Sequence, residues 1–342
     1  MSINPNAKVS PKTAWDIRSL AKGISNGNIS MLSKGITLME SRLKEDRLLA
    51  TKLIELLPKV KNVTFRIGIT GNPGAGKSTL IERLGNRYIE NGLKVAVLAI
   101  DPSSSSSGGS ILGDKTRMEQ LSRQNEAFIR PSSSSGTLGG VGRSTREIIH
   151  LCEAAGYDRI IVETVGVGQN ETAVENFVDC FVLIAIPGAG DEIQGIKRGI
   201  IERADIIAVN KADGAQTDLA KIALGFFKNV VHLYPREDKW SVPAISISAV
   251  ENNGIDRLLK LVEKCCRFRF QDGYLEFRRK KQNEVAFEKN WKSQIIFELL
   301  EKKDFQKIYM IVKNKIQNGD LSPEKGTDLI VKKFLEKIKT LR

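Results

Sequence analysis

Residues 65–79 read FRIGITGNPGAGKST, an apolar run followed by Gly71, Asn72, Pro73, Gly74, Ala75, Gly76, Lys77, Ser78 and Thr79. The middle is a complete GxxxxGKS motif, with a strand pattern before it and a helix-type stretch after it, which is the setting the motif requires. Its glycines let the backbone curl so that successive N–H groups point inward, and the following helix adds its positive N-terminal end. Such a loop is built for phosphate. Lys77 is the expected cation for the outer phosphates and the Ser78 hydroxyl the expected Mg²⁺ ligand.

Outward from this loop the texture is regular. Short β-branched runs at 65–70, 94–100, 127–130, 159–165, 180–186, 205–210 and 244–248 alternate with helical patterns. Strands and helices in alternation over that length predict an α/β fold, a P-loop NTPase with a mostly parallel central sheet covered by helices on both faces. Residues 12–57 carry apolar positions at helical spacing (Ile29, Leu32, Ile36, Met39, Leu43, then Leu49, Leu53 and Leu56) and end at Pro58. After residue 250 strand signals stop, and one apolar stripe (Phe287, Trp291, Ile295, Leu299) precedes a second (Ile330, Phe334, Ile338, Leu341) across a break from Gly319 to Pro323. The expected organisation is an N-terminal helical segment 1–62, a nucleotide-binding domain 63–268 and a C-terminal helical segment 269–342. The apolar faces of that last segment need a surface to pack on, either a dimer partner or the same chain.

Composition narrows the function class. With 342 residues and 41% apolar content the chain can bury a large core. Cys152, Cys180, Cys265 and Cys266, with His150 and His232, form no CxxC or HxxxH spacing, so buried reduced thiols are expected in place of a disulfide framework or zinc site. No signal-peptide run and no membrane-length apolar segment is present, and a cytoplasmic protein with no membrane partner is expected. The net charge is +13, but residues 267–342 alone hold 19 Lys/Arg against 11 Asp/Glu, interspersed on helical patterns. That distribution predicts a solvated face or an acidic protein partner, and no nucleic acid.

A P-loop also needs acids near its metal. Asp101, Asp114 and Glu163 are the candidates, and Asp101 and Glu163 fall at or near the C-terminal ends of strands, where ligands bind in parallel α/β sheets. In Glu163-Thr164-Val165-Gly166 the acid is expected to hold Mg²⁺ and the Gly166 N–H to meet the γ-phosphate. Asp101 and Asp114 bracket a Gly/Ser-rich loop suited to ordering by nucleotide; capping a helix is the alternative role for Asp114. Asn210-Lys211-Ala212-Asp213 has the form NKxD after another strand. The Asp213 carboxylate can accept from guanine N1–H and its 2-amino group, whereas adenine presents an acceptor at N1 and no 2-amino donor. Asn210 braces the loop, Lys211 lies along the base, and Ser248-Ala249 fits a backbone contact to guanine O6. GTP or GDP with Mg²⁺ is therefore the expected ligand set. The residue after Gly166 is Val167, with Gln169 the nearest glutamine, so a valine stands where many GTPases place the glutamine that orients the attacking water. Slow intrinsic turnover follows, as in a timer that a partner accelerates. The glycine-rich stretch 187–197 carries Asp191, Gln194 and Lys197 and is expected to move.

Taken together, GITGNPGAGKSTLIE, DPSSSSSGGSILGDKTRM, RPSSSSGTLGGVGRSTRE, VETVGVGQNE, PGAGDEIQGIKRG and NKADG resemble the MeaB-type GTPases, also called the ArgK or LAO/AO transport ATPase family, which includes the methylmalonic aciduria type A protein. The likeness runs from about residue 20 to 335. It implies a SIMIBI-class P-loop GTPase, homodimeric through its C-terminal helices, that acts as chaperone to an adenosylcobalamin-dependent acyl-CoA mutase, usually methylmalonyl-CoA mutase. At matching positions it implies a phosphate and Mg²⁺ site of Lys77, Ser78, Asp101, Asp114 and Glu163, a guanine site of Asn210, Lys211 and Asp213, and a switch of Asp191, Gln194 and Lys197 that couples nucleotide state to the mutase. The serine run at 102–107 and Gly142-Arg143-Ser144 depart from the family's usual residues. Two other readings share the nucleotide core: a metal-insertion GTPase, which calls for His or Cys ligands, and a transport-associated ATPase or kinase, which calls for ATP.

Overall fold

The computed structural model describes residues 16–41, 43–58, 63–101, 118–133, 140–164, 171–188, 198–234, 236–300 and 302–339. Three helices open it: α1 (Ile17–Ser25), α2 (Ile29–Glu40) and α3 (Lys44–Leu56). The N-terminal helical segment is thus three helices, separated for local reasons. Gly27 takes a φ of 74° and Asn28 accepts from Met31 N–H at 3.0 Å to cap α2. Ser41 and Leu43 are extended, which ends α2 and starts α3.

All seven expected strands are present: β1 (Phe65–Gly71), β2 (Val95–Asp101), β3 (Ala127–Ser133), β4 (Arg159–Thr164), β5 (Cys180–Ala185), β6 (Ile206–Val209) and β7 (Ala244–Ser246). Between and after them run α4 (Lys77–Glu90), α5 (Glu119–Ser122), α6 (Gly140–Ala154), α7 (Arg198–Arg203), α8 (Thr217–Val231), α9 (Ile255–Gln271), α10 (Tyr274–Leu300), α11 (Lys303–Gln317) and α12 (Pro323–Lys339). The sheet order is β3-β2-β4-β1-β5-β6-β7 and every pairing is parallel. Both faces are covered, which is why β4, β5 and β6 are buried at every position and why β5 and β6 read as unbroken apolar runs.

Two cores flank the sheet. One packs Leu80, Leu84, Tyr88, Leu258 and Val262 of α4 and α9 beneath Ile67, Val97 and Val182. The other joins Ile24, Leu32, Ile36 and Leu53 of the first three helices to Leu151 of α6, Phe181 of β5 and Phe227 of α8. The N-terminal helices therefore close one face of the sheet. β1 lies centrally between β4 and β5, so its C-terminal end opens where successive connections leave in opposite directions, the position at which such sheets bind ligands.

By compactness the chain forms two units, Met1–Glu284 and Val285–Arg342, a division that falls inside α10. In the second unit α11 packs against α12: a Cβ at Gly326 would lie 2.6 Å from Ile316 Cδ1, and Phe305 and Val312 are buried. Among the described residues no helix is long and apolar enough to cross a membrane.

Candidate functional site

The loop between β1 and α4 is shaped by its glycines. Gly71 has a φ of 151°, and a Cβ there would collide with the Ile184 carbonyl of neighbouring β5. Gly76 has a φ of 84° at the N-cap of α4, where a Cβ would come within 2.5 Å of Asn210 Nδ2. Gly74, at φ 75°, faces open space. Lys77 is buried and its Nζ donates to the carbonyls of Gly71 at 2.8 Å and Asn72 at 3.2 Å, so the ammonium is folded over the loop. Ser78 Oγ donates to Glu163 Oε1 at 3.1 Å, which brings the P-loop hydroxyl and the acid at the end of β4 together across 85 residues of sequence. A hydroxyl and a carboxylate at the start of a helix are hard oxygen donors, the kind Mg²⁺ takes, so the residues present fit that ion.

The second half of the site hangs on one amide. Asn210, at the end of β6 and 2% exposed, donates from Nδ2 to the Ala75 carbonyl at 2.7 Å and accepts at Oδ1 from Ala249 N–H at 3.0 Å. It thereby ties together the P-loop, the NKxD turn and the Ser248-Ala249 turn. Lys211 has a φ of 60°, a left-handed backbone unusual outside glycine, which turns the chain sharply between Asn210 and the half-buried, extended Asp213. Ser248 and Asn253 exchange backbone hydrogen bonds at 3.0 Å, and Ser248 Oγ accepts from Glu251 N–H at 3.1 Å, fixing the turn that holds buried Ala249.

Of the site residues expected from sequence, Gly71 to Thr79, Glu163, Asn210, Lys211, Asp213, Ser248 and Ala249 gather at the C-terminal edge of the sheet. Asp101 ends β2, whose preceding residue pairs with Thr164 of β4. Asp114, Gly166, Asp191, Gln194 and Lys197, with Val167 and Gln169, lie outside the described residues. Two contacts had no motif to announce them. Thr164 Oγ1 donates to Thr70 Oγ1 at 3.0 Å, a buried bond joining the residue after Glu163 to the residue before Gly71. Arg83 of α4 donates from Nε to the Ala249 carbonyl at 3.3 Å.

A second cluster lies at the opposite, N-terminal end of the strands. Cys180, Asp205 and Cys265 place ligand atoms within 4.8 Å of one another, all buried. The carboxylate there is already engaged: Oδ1 accepts from Arg269 at 2.6 Å and from Arg236, and Oδ2 from Phe181 N–H and Arg269, each at 2.8 Å. Burial alone would raise the Asp205 pKa, but Arg269, Arg278 and Arg236 outweigh it and hold the carboxyl well below its usual range. A cation there would sit against guanidinium groups; the hydrogen bond with Cys180, followed by burial, pushes the Cys265 thiol well up, and for Cys180 the lowering effect of the Cys265 bond is outweighed by the Cys266 bond and burial, which push that thiol well up too. The cluster is an ion-pair anchor for α9 (Ile255–Gln271).

The family model described as "Methylmalonyl Co-A mutase-associated GTPase MeaB" matches residues 32–306. The GTPase ArgK of Escherichia coli (strain K12) is 42% identical over 304 residues, covering 89% of this chain and 92% of that protein. The mitochondrial methylmalonic aciduria type A homolog of Mus musculus is 41% identical over 337 residues, 95% of this chain and 81% of that protein. Among solved structures, that of a LAO/AO transport system kinase superposes with a TM-score of 0.73 at 34% identity, covering 95% of this chain and all of that one.

Proposed function

Because the chain belongs to the MeaB family of mutase-associated GTPases, we propose that it is a guanine-nucleotide switch attending an adenosylcobalamin-dependent acyl-CoA mutase, assisting its assembly, cofactor loading and protection. Membership makes it a hydrolase acting on GTP. The observation that carries the nucleotide half is the Asn210 amide, which holds the phosphate loop and both base-recognition turns in one rigid frame. The family's name, and the methylmalonic aciduria relatives, support the mutase half.

Each side chain has a part in this reading. Lys77 is the cation available to the β- and γ-phosphates, and Asp213 the acceptor for the guanine edge. Ser78 and Glu163 would hold Mg²⁺, with Asp101 and Asp114 as further acids. The ion would neutralise charge that grows on the phosphate oxygens as the terminal bond breaks. Gly166 meets the γ-phosphate, and Asp191, Gln194 and Lys197 relay its presence to the mutase. With valine at 167 the basal rate is slow, and the partner supplies the missing acceleration. Residues 269–342 make the homodimer.

GTP turnover measured with and without the methylmalonyl-CoA mutase of the same genome tests the reading. A rise in rate on mixing, and a complex in gel filtration whose yield depends on the nucleotide, are the expected results. No complex with any cobalamin-dependent mutase of that genome, in any nucleotide state, would remove the mutase from the account.

A further inference from the structure

The turn that carries Ser248 and Ala249 is closed at its base by the backbone pair Ser248–Asn253. Within it, Ala249 N–H is already donated to Asn210 Oδ1 at 3.0 Å. That amide is therefore not free to meet O6 of a guanine, and the next donor along the chain is the N–H of Val250. This group makes no hydrogen bond among the described residues, and the Val250 side chain is 72% exposed, at the open edge of the turn.

The Val250 N–H shares one peptide plane with the Ala249 carbonyl. Among the described residues no peptide bond is cis, so the two groups point in opposite directions, and whatever holds the carbonyl aims the N–H. Arg83, in the second turn of α4, holds it: its Nε donates to the Ala249 carbonyl at 3.3 Å. Helix α4 begins with Lys77 and Ser78, so the helix that carries the phosphate-site side chains also sets the tilt of the base turn. Nearby arginines are committed to carboxylates. Arg87 pairs with Glu90 at 2.7 Å and with Asp256 at 3.1 Å, and Arg123 pairs with Glu119. Arg83 makes no ion pair among the described residues, and a main-chain carbonyl is its partner there. We propose that Arg83 is a positioning residue for base recognition: by holding the Ala249 carbonyl it aims the Val250 N–H at O6 of guanine. The proposal rests on the guanine reading above and adds the donor that reads O6 and the side chain that orients it. Asp213 then reads the N1–H and amino edge, and Arg83 acts on the carbonyl edge, so changing the ligand separates the two.

The test is calorimetric binding of nucleoside diphosphates to the full chain in the presence of Mg²⁺, for wild type, Arg83→Met and Arg83→Lys. GDP is compared with its 6-thio analogue, whose sulfur is a poorer acceptor than O6, and with inosine diphosphate, which keeps O6 and lacks the amino group. Wild type should bind GDP more tightly than either analogue. Arg83→Met should weaken GDP about tenfold, as for loss of a hydrogen bond from a charged group. It should also narrow the gap between GDP and the thio analogue while leaving the gap to inosine diphosphate unchanged. KM for GTP should rise by about as much, with kcat changing less. Arg83→Lys keeps a donor on a long stem and should recover most of the affinity and the thio gap. A methionine variant that loses affinity equally for all three nucleotides, with both gaps intact, makes Arg83 a structural support only and overturns the proposal, as does one that binds GDP like wild type. A wild type that prefers GDP to inosine diphosphate but takes the thio analogue equally well leaves the guanine reading standing and removes O6 from it, which overturns the proposal whether or not the variants fold. A wild type that binds ADP as tightly as GDP brings down the guanine reading, and this inference with it.

Discussion

At the scale of single residues, the proposed function concentrates base selectivity in the Asp213 carboxylate. An ionised carboxylate only accepts, so it matches the two donors on the guanine edge. Asparagine both donates and accepts, and complements xanthine, which presents a carbonyl where guanine has its amino group. Asp213→Asn is expected to weaken GTP binding about 10²- to 10³-fold, as for a buried polar mismatch, and to bind xanthosine triphosphate better than GTP in a competition assay. A variant that still prefers GTP would place the recognition of the base elsewhere. The chemistry expected of Lys77, Ser78 and Asp213 is read from motif spacing alone, whereas the fold of Lys77 over the loop and the meeting of Ser78 with Glu163 are seen only in the structure. The role of Asn210 was legible only as a brace; that its amide bonds both Ala75 and Ala249, 135 and 39 residues away, depends on how β1 and β6 are brought together. Thr70 and Thr164 were not legible as partners, because a hydroxyl pair has no sequence pattern of its own.

At the scale of elements, that hydroxyl pair links the end of β1 to the end of β4 at the level of the P-loop and Glu163. Thr164→Val keeps the shape and removes the donor. A cost of about 1 kcal/mol is expected, read as a fall in Tm of about 2–4 °C for a domain of this size. The sharper outcome is kinetic: kcat for GTP should fall more than KM rises, since the bond holds the acid beside Ser78 and has no part in holding the base. Thr164→Ser should restore both. Equal loss in kcat and affinity, or no loss, would make the bond merely structural. The strands themselves could be located from sequence because a sheet buried on both faces demands short apolar runs rich in β-branched residues, as in the IIV of RIIVET and in CFVLIA. The breaks between the first three helices rest on single residues, the positive φ of Gly27 and the extended backbone at Ser41 and Leu43, which the spacing of apolar positions does not register.

At the scale of the whole molecule, buried ion pairs fasten α9 and the first turns of α10 to the base of the sheet within Met1–Glu284. Arg269 joins Asp205 and Asp238, and Arg279 joins Asp179, at distances from 2.5 to 2.9 Å. On the same side Glu153 takes Arg66 at 2.7 Å, and although burial opposes ionisation, the His150 hydrogen bond and Arg66 draw its pKa down to about 2. Asp205, Asp238 and Glu153, each held below its unfolded value, stabilise the fold above that range and lose the contribution as pH falls through the folded values. Tm should therefore stay level from pH 7 to about 5 and then drop steeply between about 4 and about 2. Arg269→Met, which strands two carboxylates, should cost about 3–5 kcal/mol at neutral pH and soften that acid transition. The unit Val285–Arg342 poses the opposite problem, since Phe287, Ile296 and Ile311 are 66%, 57% and 56% exposed in the single chain. Burying side chains of this size is worth about 1.5–3 kcal/mol each, enough for a few of them to hold two copies together. Sedimentation equilibrium should show a dimer at micromolar concentration, and Ile296→Glu/Ile311→Glu should yield monomers whose basal GTP turnover is unchanged, because the nucleotide site lies wholly within Met1–Glu284. A wild-type chain that remains monomeric at tens of micromolar would exclude self-association as the use of those faces.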